Sequence, residues 1–330
     1  MKDIKLSILG DSISTYPNYS NGSAADTMNN TIRDNYIYYG DGRGDIDLAH
    51  TWWYKLLEKT GMKLCVNNSW SGSCIKDERF GTVGAYIARC VNLHRNVGER
   101  SGEEPDVIFI FLGTNDFTDH KDNIGSYDDI DIKTIDENNP KNITEAYYII
   151  CSKIHKRYPQ AEVYGMNIME RLNMTEMEWD AFNLMHDSLK AVLEHFNYPL
   201  VDLAYNSGLK GNDESFNCLL WDHRIHPNRC GMDAIYACAL SSLYDHSKYF
   251  KDQEKCHIRY ELKDVYMTHG LPTTLLKHDN YENTLYYSQD KELKINILED
   301  GIDKTLEYYY NNTININDIC HNYMIKASVK

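Results

Sequence analysis

The chain predicts an α/β domain built on a parallel sheet with helices on both faces, followed by a small all-β domain. Three observations predict it. Through the first 250 residues, short apolar runs alternate with helix-spaced stretches, the pattern of repeated βαβ units. The run at 106–112 is apolar at every position after Asp106, as in a strand buried on both faces. From residue 256 onward, short alternating runs such as 293–298 are separated by Asp-Gly and Asn-Asn pairs, and helical spacing disappears. The expected division is therefore 1–250 and 256–330, with the boundary in the charged segment 251–255.

The first strand is expected at 4–9, where Ile4, Leu6 and Ile8 alternate and the run stops at Gly10-Asp11-Ser12. Glycine permits a tight bend, and aspartate and serine bond to nearby backbone amides, so this turn could project the Ser12 hydroxyl from the carboxyl end of a strand. An ordinary turn uses the same residues, so the triplet alone does not identify a nucleophile. Segment 16–47, rich in Asn, Tyr, Gly and Asp, is long for a loop inside a compact domain, which points to the wall of a binding site. A helix over 48–59 follows from the spacing of Trp52, Leu56 and Lys59, with Gly61 as its stop and Trp52 and Trp53 anchoring it to the sheet.

A second strand at 63–67 runs into the small polar turn Asn68 to Ser73. A helix is expected at 83–94, and the third strand, 106–112, ends in Gly113-Thr114-Asn115-Asp116. A helix at 143–157, a strand at 162–168, a helix at 176–196, a strand at 199–203 and a helix at 231–244 complete the alternation, and Pro227 holds His226 in an extended loop. In parallel sheets ligands bind beyond the carboxyl ends of the strands, which is where the three polar turns fall.

Composition narrows the partners. A formal charge of −15 makes nucleic acid and anionic membranes poor partners, because like charge opposes contact. No apolar run is long enough to span a bilayer, and Met1-Lys2-Asp3 leads into the first strand without the regions of a signal peptide, so a soluble cytoplasmic chain is expected. The nine cysteines form no Cys-x-x-Cys pair, which fits reduced buried thiols better than disulfides or a zinc site. The 26 tyrosines suit amphipathic strands and half-buried surface, and also the holding of polar ligands.

Assembled in order, these residues resemble the SGNH/GDSL hydrolases across the first 250 residues. Gly10-Asp11-Ser12 resembles the nucleophile block, Ser71-Gly72-Ser73 the glycine block, Gly113-Thr114-Asn115-Asp116 the asparagine block and His226-Pro227-Asn228 the histidine block. The resemblance implies a flavodoxin-like three-layer domain that cleaves esters without a cofactor. It implies Ser12 as nucleophile and His226 as the base that takes its proton and returns it to the leaving alcohol. It implies an oxyanion hole from the Ser12 and Gly72 backbone N–H groups and the Asn115 amide.

One departure matters. The family pattern places an aspartate three residues before the histidine, where this chain has His223, and Asp222 lies one step further back. Either the loop bulges so that Asp222 reaches His226, or a carbonyl or His223 takes the orienting role. A metal on His223 and His226 is not expected, because Pro227 follows directly and no third ligand is evident.

The loops carry Tyr, Asn, Asp and Gly rather than a run of Leu and Phe, which favours a small acyl group on a polar carrier. The leading expectation is a carbohydrate acetylesterase; a short-chain lipase or thioesterase is the enzymatic alternative, and a catalytically impaired carbohydrate- or protein-binding module is the rival of another class. The segment from 256 resembles a β-rich module that follows such hydrolases in some bacteria, with a role in glycan or partner binding or in capping.

Overall fold

The computed structural model describes residues 3–19, 37–40, 42–77, 84–96, 98, 100–209, 211, 219–222 and 224–250, together with the backbone of strands between residues 261 and 329. Five strands, β1 (Lys5–Gly10), β2 (Lys63–Ser69), β3 (Val107–Phe111), β4 (Glu162–Met166) and β5 (Leu200–Val201), form one sheet in the order β2-β1-β3-β4-β5. All neighbouring strands are parallel. That order reverses beside β1, which creates the crevice at the carboxyl ends of β1 and β3 where doubly wound sheets bind ligands.

Side-chain alternation along the strands feeds two cores. Leu6 and Ile8 of β1 and Val107, Phe109 and Phe111 of β3 pack with α1 (Trp52–Thr60) and with the long helix Arg229–His246. Leu9, Ile108 and Ile110 face the other way, against the helices Ile143–Arg157 and Glu176–His195. In chain order the remaining helices are α2 (Thr114–Asp119), α3 (Ile143–Arg157), α4 (Glu176–His195), α5 (Leu203–Asn206) and α6 (Arg229–His246). All five residues of β3 are buried, and each large apolar side chain removed from water contributes about 1.5–3 kcal/mol, so the central strands are the least deformable part of the molecule.

The helix expected from residue 48 starts later. Leu48–His50 is a 3₁₀ turn, and Thr51 caps α1 by accepting from the Tyr54 N–H, while Gly61, in the left-handed region at φ 70°, closes it. Trp52 and Trp53 are both fully buried, and Trp52 meets Phe109 and Phe111 edge-on. A correction concerns 83–94. Among the described residues this segment consists of turns and a 3₁₀ helix, Arg89–Val91, although Ala85, Cys90 and Leu93 are buried in the second core as helical spacing would have them. Asn68 Nδ2 donates to the carbonyls of Arg89 and Asn92, which diverts acceptors that an α-helix would use internally.

Beyond residue 260 the described strands pair antiparallel in two sheets. β6 (Glu261–Thr268), β7 (Leu271–His278) and β8 (Tyr281–Thr284) form one; β9 (Leu293–Glu299) lies between β10 (Ile302–Tyr308) and β11 (Ile325–Val329) in the other. The expected boundary 251–255 and the run 313–316 lie outside the described residues. Among the described residues no helix is long and apolar enough to cross a membrane.

Candidate active site

Ser12 opens a 3₁₀ turn, Ser12–Ser14, directly after β1. Asp11 caps that turn, its Oδ1 accepting from the Ile13 N–H at 3.0 Å. The turn is pinned from three sides: Trp52 Nε1 donates to Ser14 Oγ (3.1 Å), Asn67 Nδ2 to the Ser14 carbonyl (2.9 Å), and Thr15 Oγ1 to the Ser12 carbonyl (2.8 Å). Glycine precedes it for a steric reason. A Cβ at residue 10 would stand 2.6 Å from Ser69 Oγ and 3.0 Å from Ser14 Cβ, so a side chain there would force Ser69 Oγ and Ser14 to shift.

His226 arrives from the far end of the domain on a short closed loop. Leu220 and Pro227 form an isolated antiparallel bridge, with Trp221 N–H donating to the His226 carbonyl (2.8 Å) and Asn228 N–H to the Leu219 carbonyl (2.9 Å). Inside this loop Asp222 acts as a hub. Its Oδ1 accepts from the N–H groups of Arg224 (3.0 Å), Ile225 (2.8 Å) and His226 (3.0 Å), and its Oδ2 lies 2.6 Å from His226 Nδ1. His226 Nε2 in turn lies 2.9 Å from Ser12 Oγ, across 214 positions of sequence. The carboxylate neighbour places the ring proton on Nδ1, which leaves Nε2 to accept the Ser12 hydroxyl proton. The four-residue step from Asp222 to His226 thus closes around the carboxylate; His223 lies outside the described residues.

The two aspartates feel opposite fields. Burial pushes the Asp11 carboxyl up to about 6 against the pull of the Ile13 N–H and of His226. Burial would also raise Asp222, but the His226 side chain and the N–H groups of Ile225 and His226 outweigh it and hold Asp222 well below the usual carboxylate range. Such an arrangement can move a proton from serine to imidazole while keeping a negative charge beside the cation that forms.

The glycine and asparagine blocks meet at one point. Asn115, in the first turn of α2, donates through Nδ2 to the Ser73 carbonyl at 2.8 Å, and Ser73 follows Gly72, which sits in the left-handed region at φ 77°. Gly113, at φ 110°, caps α2, and Asp116 straps the glycine segment to it by accepting from the Ile75 and Lys76 N–H groups. Among the described residues no group of three or more His, Cys, Asp and Glu could hold a metal ion.

A family model described as GDSL-like Lipase/Acylhydrolase matches residues 4–207. The chain belongs to that family. It is accordingly a hydrolase acting on esters. Two solved structures described as GDSL-like lipases share its fold. One, from Bacteroides ovatus, is 23% identical with a TM-score of 0.53 over 74% of this chain and 100% of that one. The other, from Bacteroides uniformis, is 22% identical with a TM-score of 0.53 over 74% and 97%. A Lactobacillus plantarum protein matches at 14% identity and TM-score 0.52, over 74% and 99%. No curated protein matches the chain significantly.

For this GDSL-like hydrolase, sequence reasoning missed two residues at the site. Tyr38 stacks on the His226 ring, with centroids 3.5 Å apart and planes 10° from parallel, and its hydroxyl accepts from Trp221 Nε1 at 3.2 Å. The tyrosine-rich segment 16–47 was the available signal, but no spacing singled out Tyr38. Arg89 is fully buried and donates to the Gly10 carbonyl (2.8 Å), the Asn68 carbonyl (2.5 Å) and Ser73 Oγ, so it ties the ends of β1 and β2 to the glycine turn. Burial lowers its pKa to about 9, partly offset by Asp11. Nothing in the sequence separates it from a surface arginine.

Proposed function

We propose that this family member is a serine esterase that hydrolyses short acyl esters, acetyl first, on a carbohydrate through an acyl-enzyme on Ser12. The observation that carries the reading is the continuous path from Ser12 Oγ through His226 to Asp222, at 2.9 and 2.6 Å. In this mechanism Ser12 Oγ attacks the ester carbonyl carbon as its proton passes to His226 Nε2. The negative oxygen that results is met by the Ser12 and Gly72 N–H groups and the Asn115 amide. Collapse breaks the bond to the alcohol oxygen, which receives the proton from Nε2. Water then attacks the acyl group as it gives a proton to Nε2, and collapse breaks the bond to Ser12 Oγ, which takes that proton back as the carboxylic acid leaves. Asp222 orients the ring and stabilises the imidazolium.

The polar loops around the site support a small acyl group and a polar carrier, and the net charge of −15 supports a reading without nucleic acid or an anionic membrane as partner. The strands beyond residue 260 support a β-rich accessory unit after the hydrolase, and the role proposed for it is glycan or partner binding.

The test is hydrolysis of p-nitrophenyl acetate by the wild type and by Ser12→Ala. We expect the variant to lose on the order of 10³-fold or more in kcat/KM. Turnover unchanged by the substitution would exclude the acyl-enzyme, and no turnover by the wild type would favour a binding module. A chain-length series on the same leaving group then decides acyl size. Rates falling from acetate to octanoate fit the acetylesterase, and rates rising along it fit a short-chain lipase.

A further inference from the structure

A cavity of about 370 Å³ with an uneven wall is lined in part by Arg224 and Ile225, the two residues that precede His226. Phe117, Leu172, Met174 and Ile225 give it an apolar side, and Arg171 and Arg224 stand on the other. Lys121 and Glu178 also line it, but they pair with each other at 2.6 Å, which leaves the arginines as the cations of the wall with no partner carboxylate in the lining. In a chain of net charge −15, two such cations at one cavity call for an explanation.

Their positions tie the cavity to the proposed chemistry. Arg171 Nη2 donates to the Thr114 carbonyl at 3.1 Å, one residue from Asn115, and Arg224 lies two residues before His226. Among the described residues Arg171 engages one donor, and the Arg224 guanidinium makes no hydrogen bond or ion pair with another described residue. The two guanidiniums are near enough that Arg224 opposes the charge on Arg171. The carboxylates that act on Arg171 are already committed: Asp11 is buried on the Ile13 N–H, and Asp222 holds three N–H groups and the His226 ring. Arg171 is half-buried, and a guanidinium that keeps donors free suits a planar carboxylate that takes two parallel N–H bonds.

We propose that this cavity binds a carboxylate carried by the ester substrate, held between Arg171 and Arg224 with its neutral body against the apolar wall. The inference rests on the esterase reading for its placement and makes the substrate an anionic ester. The carboxylate can belong to the alcohol, as in an acetylated uronic acid, or to the acyl group, as in a half-ester of a dicarboxylic acid.

Two substrate pairs separate these sources. Acetylated methyl glucuronoside is compared with acetylated methyl glucoside, and the p-nitrophenyl half-ester of succinate with p-nitrophenyl butyrate. The expected result is a preference for the acid in one pair of roughly tenfold or more in kcat/KM, expressed in KM, that collapses in Arg224→Gln. Arg224 is exposed, so this variant is expected to fold; Arg171→Lys, which keeps the charge and loses the fork, is expected to reduce the preference by a smaller factor. No preference in either pair, or a preference that survives Arg224→Gln unchanged, overturns the inference while Ser12-dependent turnover leaves the esterase standing. If instead the wild type hydrolyses none of these esters, calorimetric titration of methyl glucuronoside and of succinate decides. Binding that is lost in Arg224→Gln supports the anion site, and no binding to the wild type overturns it.

Discussion

The two halves of the proposed machinery are mounted differently. Ser12 stands on a turn fused to the core: Trp52, Asn67 and Arg89 hold its surroundings, Gly10 allows it to close on the sheet, and Ser12 is 3% exposed. His226 stands on a half-exposed loop whose shape depends on one carboxylate, Asp222, and on the stacked Tyr38 ring. Ser12 is therefore positioned by the fold as a whole, whereas His226 is positioned by local contacts that a single substitution can remove. The same contrast extends to charge: the aspartate of the first region is held in an environment that favours its neutral form, and that of the second in one that favours its anion.

The largest expected effect breaks the local side. Asp222→Asn keeps an acceptor for the three loop N–H groups but removes the charge beside His226, so we expect kcat to fall by roughly 10³-fold, with a fall in melting temperature at neutral pH smaller than that of Asp222→Ala. Asp222→Ala should lower both, and equal losses of activity and stability in Asp222→Asn would mean that the carboxylate serves the loop and not the ring.

Breaking the other side should show in stability first. Arg89→Met removes the side-chain donor to the Asn68 carbonyl and Ser73 Oγ in the core, while the Gly10 carbonyl keeps the Trp70 N–H, and each buried acceptor left without a donor costs about 1–3 kcal/mol. We expect denaturant unfolding to register a loss of about 3 kcal/mol or more, and a loss below about 1 kcal/mol would contradict the place given to Arg89.

The charge contrast gives opposite pH signatures. Asp11 has a raised pKa in the folded chain, so the stability it confers is full below its ordinary value of 3.8 and is lost as pH rises through about 6. Full ionisation costs the native state on the order of 3 kcal/mol, and Asp11→Asn should gain on the wild type between about pH 4 and pH 6 and hold its gain above that. Asp222 runs the other way. Its contribution is present above its ordinary pKa and lost as pH falls toward its depressed folded value, so Asp222→Asn should flatten the acid limb of the unfolding profile. Melting curves from pH 3 to 8 on both variants check the two signs.

The smallest effect belongs to Tyr38. Replacement by leucine removes a stacked contact worth about 1 kcal/mol and the hydroxyl that accepts from Trp221, so roughly a fivefold loss in kcat/KM is expected, with the pH profile of activity reporting any change in the His226 environment.

Most of the sheet was legible because its strands are written as uninterrupted apolar runs. The alternation of Ile4, Leu6 and Ile8 and the run at 107–111 admit few other readings once helical stretches separate them. The segment 83–94 misled for a physical reason: Ala85, Cys90 and Leu93 repeat at near-helical spacing, but what orders the chain there is Arg89 reaching inward and Asn68 taking the carbonyls, interactions between positions 16 to 79 apart. Similarly, Gly113 to Asp116 reads as a turn because its residues favour turns, and α2 forms there because Asp116 finds the Ile75 and Lys76 N–H groups some forty positions upstream.

At the site, the blocks around Ser12, Gly72, Asn115 and His226 were visible as polar punctuation after strands. The relation of Asp222 to His226 was left open in sequence, since nothing in Trp221 to His226 states that one carboxylate oxygen collects three backbone N–H groups and folds the loop around itself. Tyr38 and Arg171 stayed hidden because stacking and burial have no spacing rule.

The central claim is that Ser12 is a nucleophile driven by His226. It is tested most directly by treating the protein with a sulfonyl fluoride and mapping the modified peptide by mass spectrometry. The account predicts one sulfonyl group, on Ser12, formed in the wild type and lost in His226→Ala even where that variant remains folded. Modification of another residue, or labelling of Ser12 at an undiminished rate without His226, would contradict it.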